Sequence, residues 1–505
     1  MLKISDLSEN CYKSELDLFS IPPTQVAIES GLWDTIYPIS GYETNDQIFF
    51  RIPGDSLHYT DLSQTELCVG VEIVSRDPTN TEFMRTKGKG TDGGSTTDDQ
   101  KDKMMLGYPA NNFLHTLFTD IVVKFNNTIV EQTQAMYPYR AYLESLLNYD
   151  GESKRNFLQR QCFFKDEAGH FDNMTPEGKH TVNIPEADGP TVTNVTTGQP
   201  SLLKAGTKPL TVVLAPNTNT GGFKRAKFIK ENGLMKGRFH LDTFQQSRYM
   251  LNGVDIDISM RKSKPDFCLI YKQEVGRESV PLYDIIFKKM YIKVRRVKIS
   301  PSVMLAHAME LDKGINAKYP MKKVIVKPIK LEYNSTSQIL SNVHHGIMPN
   351  RVVLAFTNGD AYTGTAATNP FNFEHFNMAS ICLKVASQMV PFSSPLEFSP
   401  MTVNKNDITE AYSTLFSGIR ETSNDISIDE YKSGYFIFAF NLTPDLCSEA
   451  HYNILRDGNL EIVLRFEKIP VNGDKKPVTI DMITYLEFDN ILEVTKSRNI
   501  LVNYQ

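Results

Sequence analysis

Hydrophobic residues recur at every second position through much of the chain. Val254, Ile256, Ile258 and Met260 alternate with Asp255, Asp257 and Ser259. Leu460, Ile462, Leu464 and Phe466 do the same against Glu461 and Arg465. A period of two with one wet face predicts antiparallel sheet laid over a core. Further strands are predicted at 48–52, 66–74, 121–125, 128–132, 238–241, 285–294, 324–329, 351–356, 381–385, 435–442 and 480–488. Asn126-Asn127 between two of these predicts a tight hairpin turn, because Asn tolerates positive φ. Helical spacing is confined to three places. Tyr139, Tyr142, Leu143, Leu146 and Leu147 form one stripe; Ile408, Tyr412, Leu415, Phe416 and Ile419 form another, with Asp407 and Glu410 as a capping box. The third helix opens at Ser300-Pro301 and closes near Gly314.

Two segments break the pattern. Residues 85–103 hold no hydrophobic residue, and 183–222 are rich in Thr, Pro, Gly and Asn, so both are expected to be surface loops. The order of features also repeats. Phe113, Leu114, Leu117 and Phe118 precede the strand 121–125 as Phe373 and Phe376 precede 381–385. A helix follows in each half, and then Asn252-Gly253-Val254-Asp255-Ile256 is matched by Asp457-Gly458-Asn459-Leu460-Glu461-Ile462. A repeat of this length is a duplicated domain rather than a solenoid. Roughly eight strands per copy is the jelly-roll number. The expected fold is therefore all-β: two tandem jelly-roll barrels with a few short helices. The expected divisions are an arm over 1–39, a first barrel over 40–300, a connecting helix over 301–314 and a second barrel over 315–505.

Composition narrows the function. The 505 residues are 41% hydrophobic and 22% charged, ample for two buried cores, with a net charge of −5. Bulk electrostatics therefore do not mark a nucleic-acid binder. The first 20 residues carry no apolar stretch of signal-peptide length, and no apolar run reaches membrane-spanning length. Six isolated cysteines predict buried thiols rather than a disulfide framework or zinc site, and five Asn-x-Ser/Thr sequons read as chance matches.

No enzyme motif emerges, and no catalytic, metal or cofactor site is expected. His344-His345 lacks a neighbouring acid; Asp255 and Asp257 fit a solvated strand face better than a cation site; Lys87-Gly-Lys-Gly90 lacks the phosphate-loop spacing; Cys162 and His170 lack flanking nucleophile motifs. Two features invite function. Between 285 and 330 twelve Lys or Arg meet only Glu310 and Asp312, an excess of +10. Lys289, Lys293 and Arg295, joined by Lys322, Lys323 and Lys327, form a candidate patch facing packaged DNA or a subunit interface; the alternative is a solvated face with salt bridges. The arm around Leu18, Phe19, Ile21 and Trp33 is apolar without periodicity, and Pro22-Pro23 bars helix there. It is expected either to dock under its own barrel or to pack on a neighbouring subunit.

Four segments carry a family resemblance. KSELDLFSIPPTQ at 13–25, NNFLHTLF at 111–118, YPYRAYLESLL at 137–147 and FKDEAGH at 164–170 resemble, in order, the major capsid proteins of Polinton (Maverick) elements and the related adintoviruses. The match is dense over the first 170 residues and looser beyond. It implies a double jelly-roll subunit, distantly similar to virophage and adenovirus-lineage capsid proteins. Three copies would form a pseudo-hexagonal homotrimeric capsomer, tiling an icosahedral shell around double-stranded DNA. Its partners would be itself, penton and minor capsid proteins and, non-specifically, the genome; its place would be the virion. No additional C-terminal domain is expected. The competing readings are a tandem jelly-roll lectin and an enzyme on a cupin-like barrel.

Overall fold

The computed structural model describes residues 16–19, 21–76, 107–173, 180–185, 207–212, 219–271, 283–398, 408–418, 424–446, 451–468 and 477–502. The predicted loop 85–103 and the proposed capping residue Asp407 lie outside them.

Sixteen barrel strands follow one another in two sets of eight. The first set is β1 (Ile28–Ile36), β2 (Gln47–Ile52), β3 (His58–Ser75), β4 (Phe118–Phe125), β5 (Thr128–Gln132), β6 (Leu234–Arg238), β7 (Ile256–Lys262) and β8 (Tyr283–Ile299). The second is β9 (Ala317–Lys330), β10 (Ser337–Ile347), β11 (Arg351–Asn358), β12 (Met378–Val385), β13 (Gln388–Val390), β14 (Ile437–Asn441), β15 (Asp457–Phe466) and β16 (Ile480–Val494). The first set pairs as β1-β8-β3-β6 and β2-β7-β4-β5, the second as β9-β16-β11-β14 and β10-β15-β12-β13. Adding eight to each label of the first pair of sheets gives the second. Two packed antiparallel sheets with these eight strands make a jelly roll, so each half is one; in the second half each sheet carries one strand more, Ile500–Val502 beside β16 and Leu396–Glu397 beside β12. The two strands whose alternation opened the sequence argument, β7 and β15, hold equivalent central positions.

The alternation does what it predicts. Ile258 of β7 lies opposite Phe50 of β2 and Val123 of β4, and all three are buried. The hairpin at Asn126-Asn127 has φ of 45° and 68°. Its counterpart between β12 and β13 is Ala386-Ser387, with φ of 48° and 68°. The duplicated turn keeps a left-handed conformation without the residues that favour it.

Three expectations need correcting. The strand predicted at 238–241 lies upstream, at β6. Gly237 hid it: a Cβ there would fall 2.8 Å from the Leu114 side chain, so close packing demands the weak strand former. The loop predicted at 183–222 contains a two-stranded ribbon, His180–Pro185 with Thr207–Val212, and helix α2 (Thr220–Glu231) begins inside it. Residues Ile28–Ile36, assigned to the arm, form the edge strand β1 paired with β8.

The helix predicted from the stripe at 139–147 is α1 (Tyr137–Leu147), and every one of its eleven residues is buried. Tyr137 and Ala141 enter the first barrel's core, while Tyr139, Tyr142, Leu143, Leu146 and Leu147 enter the second's. Tyr142 stacks on Phe371 at 4.2 Å between centroids. The helix is a wedge between barrels rather than a cover on one. This explains why β16 is buried without a break from Ile480 to Phe488, Asp481, Thr484 and Glu487 included: with the barrel interior on one side and α1 against Tyr485 on the other, neither face is wet. Helix α4 (Pro301–Asp312) links β8 to β9 and ends at Gly314, φ 82°.

Candidate functional site

At the foot of α1 the barrels share a buried charge cluster. The Arg140 guanidinium, 3% exposed, donates to Glu131 at 2.8 Å, Glu144 at 2.9 Å and Asp242 at 2.7 Å. Asp242 opens the short helix α3 (Asp242–Gln245), and Glu131 lies on β5. Two donors arrive from the second barrel: the backbone N–H of Val324 to Asp242 at 3.1 Å, and the Tyr485 hydroxyl to Glu144 at 3.4 Å. The His240 ring adds a 2.8 Å contact to Glu144. Burial alone would raise Glu144, but the Arg140 charge and the His240 hydrogen bond overcome it and hold the carboxyl well below its usual range. For Glu131 and Asp242 burial outweighs Arg140 and pushes both up. Burial, helped by neighbouring His240, drives His115 well below the usual histidine range.

A second set of cross-barrel contacts stands beside it. Arg225 of α2 binds Asp166 at 2.6 Å and the carbonyls of Pro109 and Phe164, while Tyr435 of the second half donates to the Asp166 carbonyl at 2.8 Å. Lys154 pairs with Asp425, and Lys165 with Glu430 at 2.9 Å. Together with the aromatic stack, these contacts join the two barrels along a buried interface.

The basic candidates divide between two sheets. Lys289, Lys293 and Arg295 project from the outer face of β8, opposite the buried Met290, Ile292 and Val294, as the alternation required. Lys322, Lys323 and Lys327 lie on β9, in the other barrel, where Lys322 is bound by Asp489. Nothing in the described structure joins the two triplets into one patch. Much of the apparent excess is locally matched: Lys288 pairs with Glu72, Arg296 with Asp34, Lys298 with Glu29 and Lys313 with Glu310. Among the described residues no carboxylate comes within 4.0 Å of Lys289, Lys293 or Arg295.

The apolar arm does not dock under its own barrel. Leu18, Phe19 and Ile21 are 77–98% exposed. Trp33 belongs to β1, half exposed, with the Arg295 guanidinium 5.5 Å from its ring, so one arm candidate and one basic candidate meet there. Sequence reasoning missed α4 as a surface. Leu305 and Met309 stand exposed along it, and Leu311 is its single buried residue.

An open cleft of about 750 Å³ lies between the halves, lined by Asp172, Glu374, His375 and Lys432 among others. Desolvation by burial, helped by the nearby Glu374 charge, raises the Asp172 carboxyl to about 6, although part of its surface meets solvent, and desolvation raises Glu374 too. The weighed chemical pairs do not assemble. The Cys162 thiol is buried and pushed up to about 12, and its hydrogen-bond partner is the Arg225 carbonyl. His344 contacts the Ile347 carbonyl at 2.8 Å, and Asp255 is held by Arg51 and the Gly54 N–H. Among the described residues no group of three or more His, Cys, Asp or Glu is disposed to hold a metal ion, and no helix is long and apolar enough to cross a membrane.

No family model matches the chain. An uncharacterized protein of Caenorhabditis elegans is 22% identical over 490 residues, 96% of this chain and 99% of that protein. The structure of the Sputnik virophage determined by cryo-electron microscopy superposes with a TM-score of 0.57 at 12% identity, covering 99% of this chain and 94% of that one. A quasi-atomic model of the PBCV-1 virus capsid gives 0.51 at 8% identity, covering 96% and 99%. The chain is a double jelly roll. The likeness runs through both barrels and the joint between them, at identities that carry the fold alone.

Proposed function

We propose that this double jelly roll is a major capsid protein, of the Polinton and adintovirus kind that its sequence motifs resemble. Three copies form a homotrimeric capsomer with six barrels on a pseudo-hexagonal footprint. The capsomers tile an icosahedral shell around double-stranded DNA, with penton and minor capsid proteins completing it. The observation that carries this reading is the pair of packed barrels whose eight common strands share one order, matched over nearly its full length by chains whose structures are those of a virophage and a virus capsid. Two barrels per chain supply six from three copies, and closed cyclic symmetry is the usual outcome for such assemblies. In the same reading the outer face of β8 with Lys289, Lys293 and Arg295 turns toward the genome, and the arm packs on a neighbouring subunit.

Multi-angle light scattering of the purified chain, followed by electron microscopy, tests the proposal. A trimer that builds shells is the expected result. A monomer at micromolar concentration would overturn it.

A further inference from the structure

We infer that the apolar arm of one copy seats on the exposed face of α4 of the next, so that each subunit gives one arm and receives one. The inference rests on the capsomer reading above, since it needs a second copy in closed symmetry.

The arm and α4 meet at the arm's root. The Ser300 N–H donates to the Ala27 carbonyl at 2.9 Å, placing the point where the arm departs beside the first turn of the helix. The departure is held in shape. The Gln25 side chain accepts from the Ile28 N–H at 2.8 Å and donates to its carbonyl, and Pro22-Pro23 favours an extended backbone. Beyond that point Leu16, Leu18, Phe19, Ile21 and Val26 are all at least 70% exposed. Lone exposed apolar residues are ordinary, but a sequence-local cluster of this density marks an interaction segment.

The seat has the complementary character. Leu305 and Met309, one helical turn apart, are more than half exposed, and Ile315 continues the surface past the helix end. The charges nearby are already engaged with one another, Lys313 with Glu310 and Lys496 with Asp312. Methionine adds adaptability to such a surface. Length favours a seat in another copy. Eleven residues, the span of 16–26, can reach at most about 36 Å at ~3.3 Å per residue, whereas α4 is about 18 Å long at 1.5 Å per residue. An arm of that reach overshoots its own helix. A contact between two different patches of identical chains closes into a ring under threefold symmetry.

The test is disulfide trapping. Chains carrying Phe19→Cys and chains carrying Leu305→Cys, with different affinity tags, are co-expressed and oxidised, with each single variant and the unaltered chain as controls. The expected result is a two-chain band on non-reducing gels that carries both tags and disappears in each control. The double variant F19C/L305C should give two- and three-chain bands. A fast-migrating single-chain disulfide in the double variant would place the arm on its own helix and overturn the inference. Trimers by light scattering without any cross-link would also overturn it while leaving the capsomer reading intact. A monomeric unaltered chain would overturn both.

Discussion

Replacing Arg140 by leucine tests whether the buried cluster holds the barrels together. The guanidinium makes hydrogen bonds to Glu131, Glu144 and Asp242 at 2.7–2.9 Å in a site closed to water. Its removal leaves three carboxyl groups facing one another, with His240 as the neighbouring base. Stripping one partner from a buried ionic cluster costs about 3–5 kcal/mol, a large part of the ~5–15 kcal/mol that holds a domain folded. At ~2–4 °C per kcal/mol for a barrel of this size, the melting temperature should fall by roughly 6–20 °C. The loss should depend on pH in a defined direction. Glu131 and Asp242 already sit above their usual values through burial and rise further without Arg140, while Glu144 loses the charge that holds it low and rises as well. A folded-state pKa above the unfolded value of ~4 means that the protonated form's stability is complete below about pH 4 and is lost as pH climbs through the folded value. The deficit of the variant relative to the unaltered protein should therefore be smaller near pH 5 than near pH 8. Thermal unfolding followed by circular dichroism at the two pH values measures both quantities. A variant melting within ~2 °C of the parent near pH 8, below the effect of 1 kcal/mol, would refute the account, as would a deficit that grows on acidification.

Three further outcomes follow from the same structure. Asp172→Asn should raise the melting temperature near pH 7.5 and leave it unchanged near pH 4, because the carboxyl raised to about 6 is a cost only once it ionises; equal shifts at both pH values would contradict this. Ala386→Asn with Ser387→Gly should stabilise the second barrel by about 1 kcal/mol, since both residues occupy left-handed backbone that alanine and serine disfavour; a lower denaturant midpoint would count against it. Charge reversal at Lys289, Lys293 and Arg295 should leave the trimer intact, weaken DNA retention and reduce the salt slope by about 2.7, from ~0.9 per phosphate contact. Failure to trimerise would instead assign that strand face to a subunit interface.

What could be read from the sequence follows from where water lies. Strands with one wet face, such as β7 and β15, announce themselves by period two, and their equivalence carried the duplication argument. β16 and α1 lack a wet face, so pattern gave their presence but not their role as the surfaces along which the barrels meet. The charge cluster was invisible for a related reason. Arg140 and Glu144 are spaced like any exposed helical ion pair, and their partners Glu131, Asp242 and Tyr485 are separated from them by 9 to 341 residues. β1 was missed because an edge strand built of Ile28-Glu29-Ser30-Gly31-Leu32-Trp33 alternates weakly, and Gly31 leaves room for the Arg295 side chain that crosses it.

The wedge helix also sets a timetable for synthesis. α1 is made early, and its face of Tyr139, Tyr142, Leu143, Leu146 and Leu147 finds its cover only when Phe371 and then Tyr485 leave the ribosome. At ~5–20 residues per second that interval lasts roughly 15–70 s. In the later part of it, once β8 is complete at Ile299, a finished first barrel displays an oily flank to every other nascent copy in the polysome. Chains translated side by side can trade second barrels at that flank when their local concentration rivals that of the tethered partner. The yield of correctly paired molecules should then fall as translation becomes more crowded, and slower initiation on the message, rather than slower elongation, is what should restore it.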